Sequence, residues 1–199
     1  MNVDLVFEGG GVLGICYAGA LKALEERGYI PQRCAGTSAG SVIAALIAAG
    51  FTSGELTEIV HRTDFNSLLR NSESDGQRVP PGILSLLCRK GAYDSGSIEV
   101  WVENMLEKKG VTRFKDVVHQ GKSMLKIIAA DITKKRVLIL PDDLRSYGID
   151  PMEFSIAKAV RMSCAIPLFF TPVELRHGGK RSYVVDGGLL SNYPIWIFD

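Results

Sequence analysis

Apolar positions cluster at residues 3–7 (Val3, Leu5, Val6, Phe7), a length and pattern that predict a strand. A glycine loop follows, then a helix over residues 14–27 with Gly28 as its C-terminal stop. A short strand is predicted at residues 32–35. Next come Gly36-Thr37-Ser38-Ala39-Gly40 and a helix running to Ala49, stopped by Gly50. Thr52 and Glu55 have the spacing of a capping box for the helix that carries Ile59 and Val60. Residues 66–82 turn polar (Ser72, Ser74, Asp75, Gly76, Pro80, Pro81) and read as a long loop, a length usually tied to function. With Ile83, Leu84, Leu86 and Leu87 behind it, this stretch is a candidate lid or flap, against the plainer reading of a surface loop over a core helix.

After Ser97 an amphipathic helix carries Val100, Trp101, Met105 and Leu106. Strands are predicted at residues 124–130 and 136–140, with Thr133, Lys134 and Lys135 at the turn between them. A helix over residues 152–162 leads to Ser163-Cys164-Ala165-Ile166-Pro167. A hairpin closes the pattern: residues 171–176, a turn at His177-Gly178-Gly179, and residues 181–185. Strands alternating with helices at the N-terminal end predict a parallel sheet, and the hairpins add antiparallel strands. The fold class is α/β, three-layered, with a mostly parallel central sheet.

Length and composition narrow the classes. The 199 residues are expected to form one domain, large enough to bury roughly 70% of its unfolded surface without a disulfide or metal staple. Lys plus Arg is 23 and Asp plus Glu is 22, a balance that excludes the bulk basic footprint of a nucleic-acid binder. Cys16, Cys34, Cys88 and Cys164 form no CxxC pair and sit among apolar neighbours, so they are expected as reduced core thiols. The acidic N-terminus carries no secretory signal, and the longest apolar run, residues 42–51, is about half of a bilayer span. The expected location is the cytoplasm, with peripheral membrane contact and delivery as an effector both left open. The apolar residues 193–199 are unlike a natural terminus, so the chain is expected to continue beyond them. Glycine is the outlier, 21 residues against an average of about 7%.

Ser38 carries the sharpest chemistry. Gly36-Thr37-Ser38-Ala39-Gly40 is a G-x-S-x-G between a predicted strand and a predicted helix, the context of a nucleophile elbow. The helix that begins there offers unpaired N–H groups and a positive dipole end to developing negative charge. The first loop, Gly9-Gly10-Gly11-Val12-Leu13-Gly14, fits G-x-G-x-x-G. A dinucleotide site would want an acidic residue about 20 positions on. That region instead reads Pro31-Gln32-Arg33-Cys34-Ala35, although Arg33 leaves a phosphorylated ribose open. Paired with Ser38, the loop makes better sense as an oxyanion hole, its Gly10 and Gly11 amides facing the serine from the neighbouring β-α turn.

The serine needs a base. His61 lies on a polar helix face, His119 ends a short helix, and His177 sits at a hairpin tip, a poor place for a buried base. Asp186 closes an apolar strand and precedes Gly187 and Gly188, which let backbone come close. In a partly desolvated site beside Ser38, a carboxylate can accept the hydroxyl proton.

The blocks Gly9 to Gly14, Gly36 to Gly40, Ser163-Cys164-Ala165-Ile166-Pro167 and Asp186-Gly187-Gly188 together resemble the patatin-like phospholipase domain family, in the family's order and across nearly the whole chain. The resemblance implies an α/β/α sandwich and a Ser-Asp dyad. Ser38 would be nucleophile, Asp186 proton acceptor, and Gly9, Gly10 and Gly11 the oxyanion loop, with Gly14, Gly36, Gly40, Gly187 and Gly188 as motif support. It also implies hydrolysis of lipid acyl esters of the phospholipase A or lysophospholipase type, with no metal, calcium or other cofactor, and a lipid or acyl-ester substrate as partner. Many members carry Lys or Arg where this chain has Leu13, which removes a charge that would meet a lipid phosphate. The basic turns Lys134-Lys135-Arg136 and Lys180-Arg181 are either a meeting point for anionic head groups or solvated turn residues. The alternatives are a transacylase or thioesterase on the same dyad and, from another class, a nucleotide-binding module built on the glycine loop. Oligomeric state is not legible.

Overall fold

A computed structural model of the chain describes residues 1–64 and 91–199. The long loop and candidate lid expected over residues 66–82, the leucines behind it and Cys88 lie outside the described residues.

The first strand, β1 (Asn2–Phe7), runs through a 3-10 turn (Gly11–Ile15) into α1 (Cys16–Glu26). β2 (Ile30–Thr37) is longer than the predicted strand because it pairs in parallel with β1 from Ile30 to Gly36. The register shifts between Val3 and Asp4, beside Pro31, which has no N–H to give the ladder. α2 (Ala39–Ala48) is buried on nearly every side, as its Ala, Ile and Leu content requires. α3 (Ser53–Arg62) starts at the expected capping box: Glu55 N–H donates to Thr52 Oγ1 (3.3 Å) and Thr52 N–H to Glu55 Oε2 (2.9 Å).

Farther along come β3 (Gly91–Tyr93), α4 (Gly96–Glu107), the small hairpin β4 (Val118–His119) and β5 (Lys122–Ser123), and then β6 (Leu125–Asp131) and β7 (Arg136–Leu140). α5 (Ile156–Ser163), β8 (Leu168–Phe170), β9 (Val173–His177) and β10 (Lys180–Asp186) follow. Three expectations are corrected. α5 starts four residues late because Ser155 caps it (Lys158 N–H to Ser155 Oγ, 3.1 Å), while the Met152 and Phe154 carbonyls accept from Lys115 and Phe114. His119 belongs to a strand rather than ending a helix. Cys16 is exposed, whereas Cys34 and Cys164 are buried as expected.

The architecture is α/β: a three-layer sandwich around a mixed six-stranded sheet, with β6 near its centre. β1, β2, β6 and β9 run one way and β7 and β10 the other. α2 packs against β1, β2 and β6, and α5 against β6 and β10. β6 is the spine of the core, with Leu125, Ile127, Ile128, Ala129 and Ala130 fully buried.

The register of β6 decides where the chemistry sits. β7 pairs with residues Ile127 to Asp131 along one edge of β6. β2 and β10 must therefore share the other edge. β2 takes Leu125 to Ile128 in parallel and β10 takes Ala129 to Asp131 antiparallel. The two strands thus meet head to head, Thr37 opposite Ile128 and Asp186 opposite Ala129. Ser38 follows Thr37 directly, so sheet topology alone brings the serine to the aspartate.

Candidate active site

Ser38 occupies the tight connection between β2 and α2 with φ 53° and ψ −127°, a backbone state that L residues rarely adopt. The turn closes only because its neighbours lack side chains. A Cβ on Gly36 would lie 2.2 Å from the Gly40 carbonyl oxygen, and one on Gly40 would lie 2.5 Å from the carbonyls of Phe7 and Glu8. Ser41 holds the turn from inside, its N–H and Oγ–H both donating to the Ser38 carbonyl (2.8 and 2.6 Å).

Asp186 is buried at the end of β10, with its Oδ1 accepting from Gly188 N–H at 2.7 Å. Burial pushes its carboxyl above the usual carboxylate range, and hydrogen bonds from Ser38 and the Gly188 N–H offset only part of that. Gly187 permits the close approach of strands, since a Cβ there would sit 2.4 Å from Ile128 O and 2.9 Å from Thr37 Cγ2. Gly9, Gly10, Ser38, Asp186 and Gly188 line one recess of about 300 Å³, together with Ile166, Pro167, Leu189 and Asn192.

Gly11 has φ +55° and opens the 3-10 turn, while Gly14 faces Ala39 at ordinary contact distance. Gly9 departs from the sequence expectation. Its N–H donates to the Asn192 carbonyl (3.1 Å), so that amide is not free for a substrate oxygen. Gly9 serves by being small, since a Cβ there would lie 2.4 Å from Asn192 Oδ1 and 3.1 Å from Ser38 Cβ.

Two residues to which the sequence reading gave no role support the site. Ser163, fully buried, donates from Oγ to Ile128 O and accepts the Ser38 N–H at 2.8 Å. Two residues on, the Ala165 carbonyl accepts the Asp186 N–H at 2.8 Å, so this one block ties both strand ends. Asn192 clamps the glycine loop from the other side, adding an Nδ2 hydrogen bond to Gly9 O (3.1 Å). Their only sequence signal was proximity: Ser163 opens the third block, and Asn192 lies just after Asp186-Gly187-Gly188.

A second cavity, about 310 Å³, opens from Ser38 along α2. Val42, Ile43 and Leu46 form its floor, and Leu56, Ile59, Ile98, Trp101 and Phe169 are among its walls. Apart from Ser38 and the glycines its lining is apolar, with Cys164 the one thiol. Burial, reinforced by the Asp186 charge, lifts that thiol to about 12, which keeps it protonated and unreactive at neutral pH. His61 is exposed on α3, away from this lining. Among the described residues, no group of three or more His, Cys, Asp or Glu side chains is arranged to hold a metal ion, and no helix is long and apolar enough to cross a membrane.

A family model described as patatin-like phospholipase matches residues 5–199. The chain is 45% identical over its full length to uncharacterized protein YqhO of Bacillus subtilis strain 168, spanning 67% of that protein. It is 26% identical to probable lipid hydrolase 463L of invertebrate iridescent virus 6, with 96% of the chain and 61% of that protein aligned. Among solved structures, VipD of Legionella pneumophila superposes with a TM-score of 0.58 at 21% identity, over 96% of this chain and 46% of that one. The chain thus spans about two thirds or less of the length of the relatives it matches.

Proposed function

Since this chain belongs to the patatin-like phospholipase family, we propose that it hydrolyses fatty acyl esters of lipids, with Ser38 as nucleophile and Asp186 as its proton acceptor. Asp186 takes the Ser38 proton as Oγ attacks the ester carbonyl, and the Gly10 and Gly11 amides receive the oxyanion. Gly9 donates its N–H to the Asn192 carbonyl, holding the loop, instead of to the oxyanion. The tetrahedral intermediate collapses, the ester C–O bond breaks, and the alcohol or lysolipid leaves with the proton from Asp186. Water, deprotonated by Asp186, then attacks the acyl-Ser38 ester; its C–Oγ bond breaks, Ser38 Oγ takes the proton back from Asp186, and the fatty acid is released.

The observation that carries this reading is the head-to-head meeting of β2 and β10, which sets a strained serine beside a buried carboxylate at the mouth of an apolar cavity. That cavity suits an acyl chain and offers a polar head group nothing to bond. The leaving group therefore points outward, toward the recess lined by Pro167 and Leu189. With Leu13 in place of a basic residue, the head group is not selected by a charge at that position.

The test is turnover of an ester series of increasing acyl length. Ser38→Ala and Asp186→Asn are each expected to lower kcat by at least about 10³-fold. Unchanged turnover in either variant would refute the dyad.

A further inference from the structure

The two basic turns that stand out in the sequence and have no part in the dyad are neighbours in the fold. β6 and β10 are antiparallel partners, so the β6–β7 turn lies beside the start of β10, stitched by Tyr183 N–H to Thr133 Oγ1 (2.8 Å) and Ile132 N–H to Tyr183 O (3.0 Å). Between the turns is a recess of about 320 Å³ that contains Lys134 and Lys180 and, among the described residues, no carboxylate. Ser146, Tyr147, Leu175 and Ser182 also line it, with the Tyr147 hydroxyl committed to Asp131 and the Ser146 hydroxyl to the Asp143 carbonyl. We propose that this recess binds a phosphomonoester, with the Lys134 and Lys180 ammonium groups as the cationic pair that meets it.

Nearby carboxylates are committed elsewhere. Asp131, buried behind the wall, accepts from Tyr147 Oη and from the Thr133 and Lys134 amides. Glu174 pairs with Arg176 at 2.8 Å and lies 3.9 Å from Arg181. Asp143 accepts the Ile139 N–H at 2.7 Å and lies 3.7 Å from Arg136. The Lys134 ammonium is held 3.4 Å from the centre of the Tyr147 ring, which positions it without neutralising it. One positioned cation and a second beside it at an open recess suit a compact dianion with several acceptor oxygens better than a single carboxylate. The recess is separate from the dyad: Lys180 and Asp186 stand at opposite ends of β10, roughly 20 Å apart at the rise of a strand. Its occupant is therefore not the ester being cleaved.

The phosphomonoester has two possible sources, a lipid head group or a soluble ester, and two probes separate them. In a Ser38→Ala background, which blocks turnover, glycerol 3-phosphate is titrated by equilibrium dialysis. Flotation is measured with phosphatidylcholine vesicles with and without phosphatidic acid. Binding of either probe, weakened about tenfold or more by Lys134→Gln/Lys180→Gln and unchanged by the remote Lys22→Gln, supports the site. Glycerol 3-phosphate alone would identify a soluble ligand, phosphatidic acid alone a lipid one, and both a site that reads the phosphate itself. Lys180→Gln, whose side chain leaves the Tyr147 contact intact, is expected to weaken binding by itself. In the Ser38-intact protein the double variant should hydrolyse a soluble ester at the normal rate, which shows that it folds. No binding of either probe, or equal binding by the double variant, would overturn the proposal.

Discussion

Ser38 pays for its position in backbone strain: φ 53° with ψ −127° costs a non-glycine residue about 1–3 kcal/mol. Ser38→Gly should therefore stabilise the protein by about 1 kcal/mol in urea melts while abolishing turnover. Asp186 makes the same trade through charge. Its carboxyl is raised by burial above the unfolded value of about 3.9. Stability from this group is thus fullest below that value and is lost as pH climbs through the folded pKa. Activity has the opposite slope, because the base must be ionised. The acid limb of kcat/KM should lie above the ordinary carboxylate range, and Asp186→Asn should raise Tm at neutral pH while removing activity. An acid limb at or below about 3.9 would contradict the burial argument. At this scale Ser38 and Asp186 were legible as candidates, because local glycines betray tight turns. What Ser163 and Asn192 do stayed hidden, because it is to bond backbone groups 125 and 183 residues away.

The α2 helix is both the support of Ser38 and the floor of the apolar cavity. Ser38, Val42 and Leu46 recur every four residues on the face that borders it. From Ser38 to Leu46 the helix advances about 12 Å. An extended chain advances about 1.2 Å per bond, so an acyl chain of about ten carbons spans the distance from Ser38 to Leu46. The half-buried Val42 sits one turn from the nucleophile, so Val42→Trp should abolish turnover of decanoyl esters and spare acetyl esters. Trp101→Ala, at the wall shared with a neighbouring recess, should move the optimum to longer chains. A chain-length profile unchanged in both variants would remove the cavity from the acyl path. Helices bounded by Gly28, Gly50 or the Thr52–Glu55 box were legible because their stop and start signals are local. The start of α5 was not, since the carbonyls of Met152 and Phe154 are claimed by Lys115 and Phe114 on a distant segment.

Across the whole molecule, the meeting of Ser38 and Asp186, the proposed dyad, is a property of the sheet. Neither β2 nor β10 reveals in its own sequence that they abut on one edge of β6; that follows from β7 occupying the other edge. The α/β class, the alternation of strands and helices and the closing hairpin were legible from hydrophobic spacing. The antiparallel entry of β10 among parallel strands was legible only as a hairpin, without its register. The same topology separates the dyad from the basic recess at the far end of β10. The most direct test of the central claim is covalent labelling with an alkyl fluorophosphonate, mapped by peptide mass spectrometry. The account predicts one adduct on Ser38, absent from Ser38→Ala and formed far more slowly in Asp186→Asn. An adduct on another residue, or labelling that persists in Ser38→Ala, would contradict it.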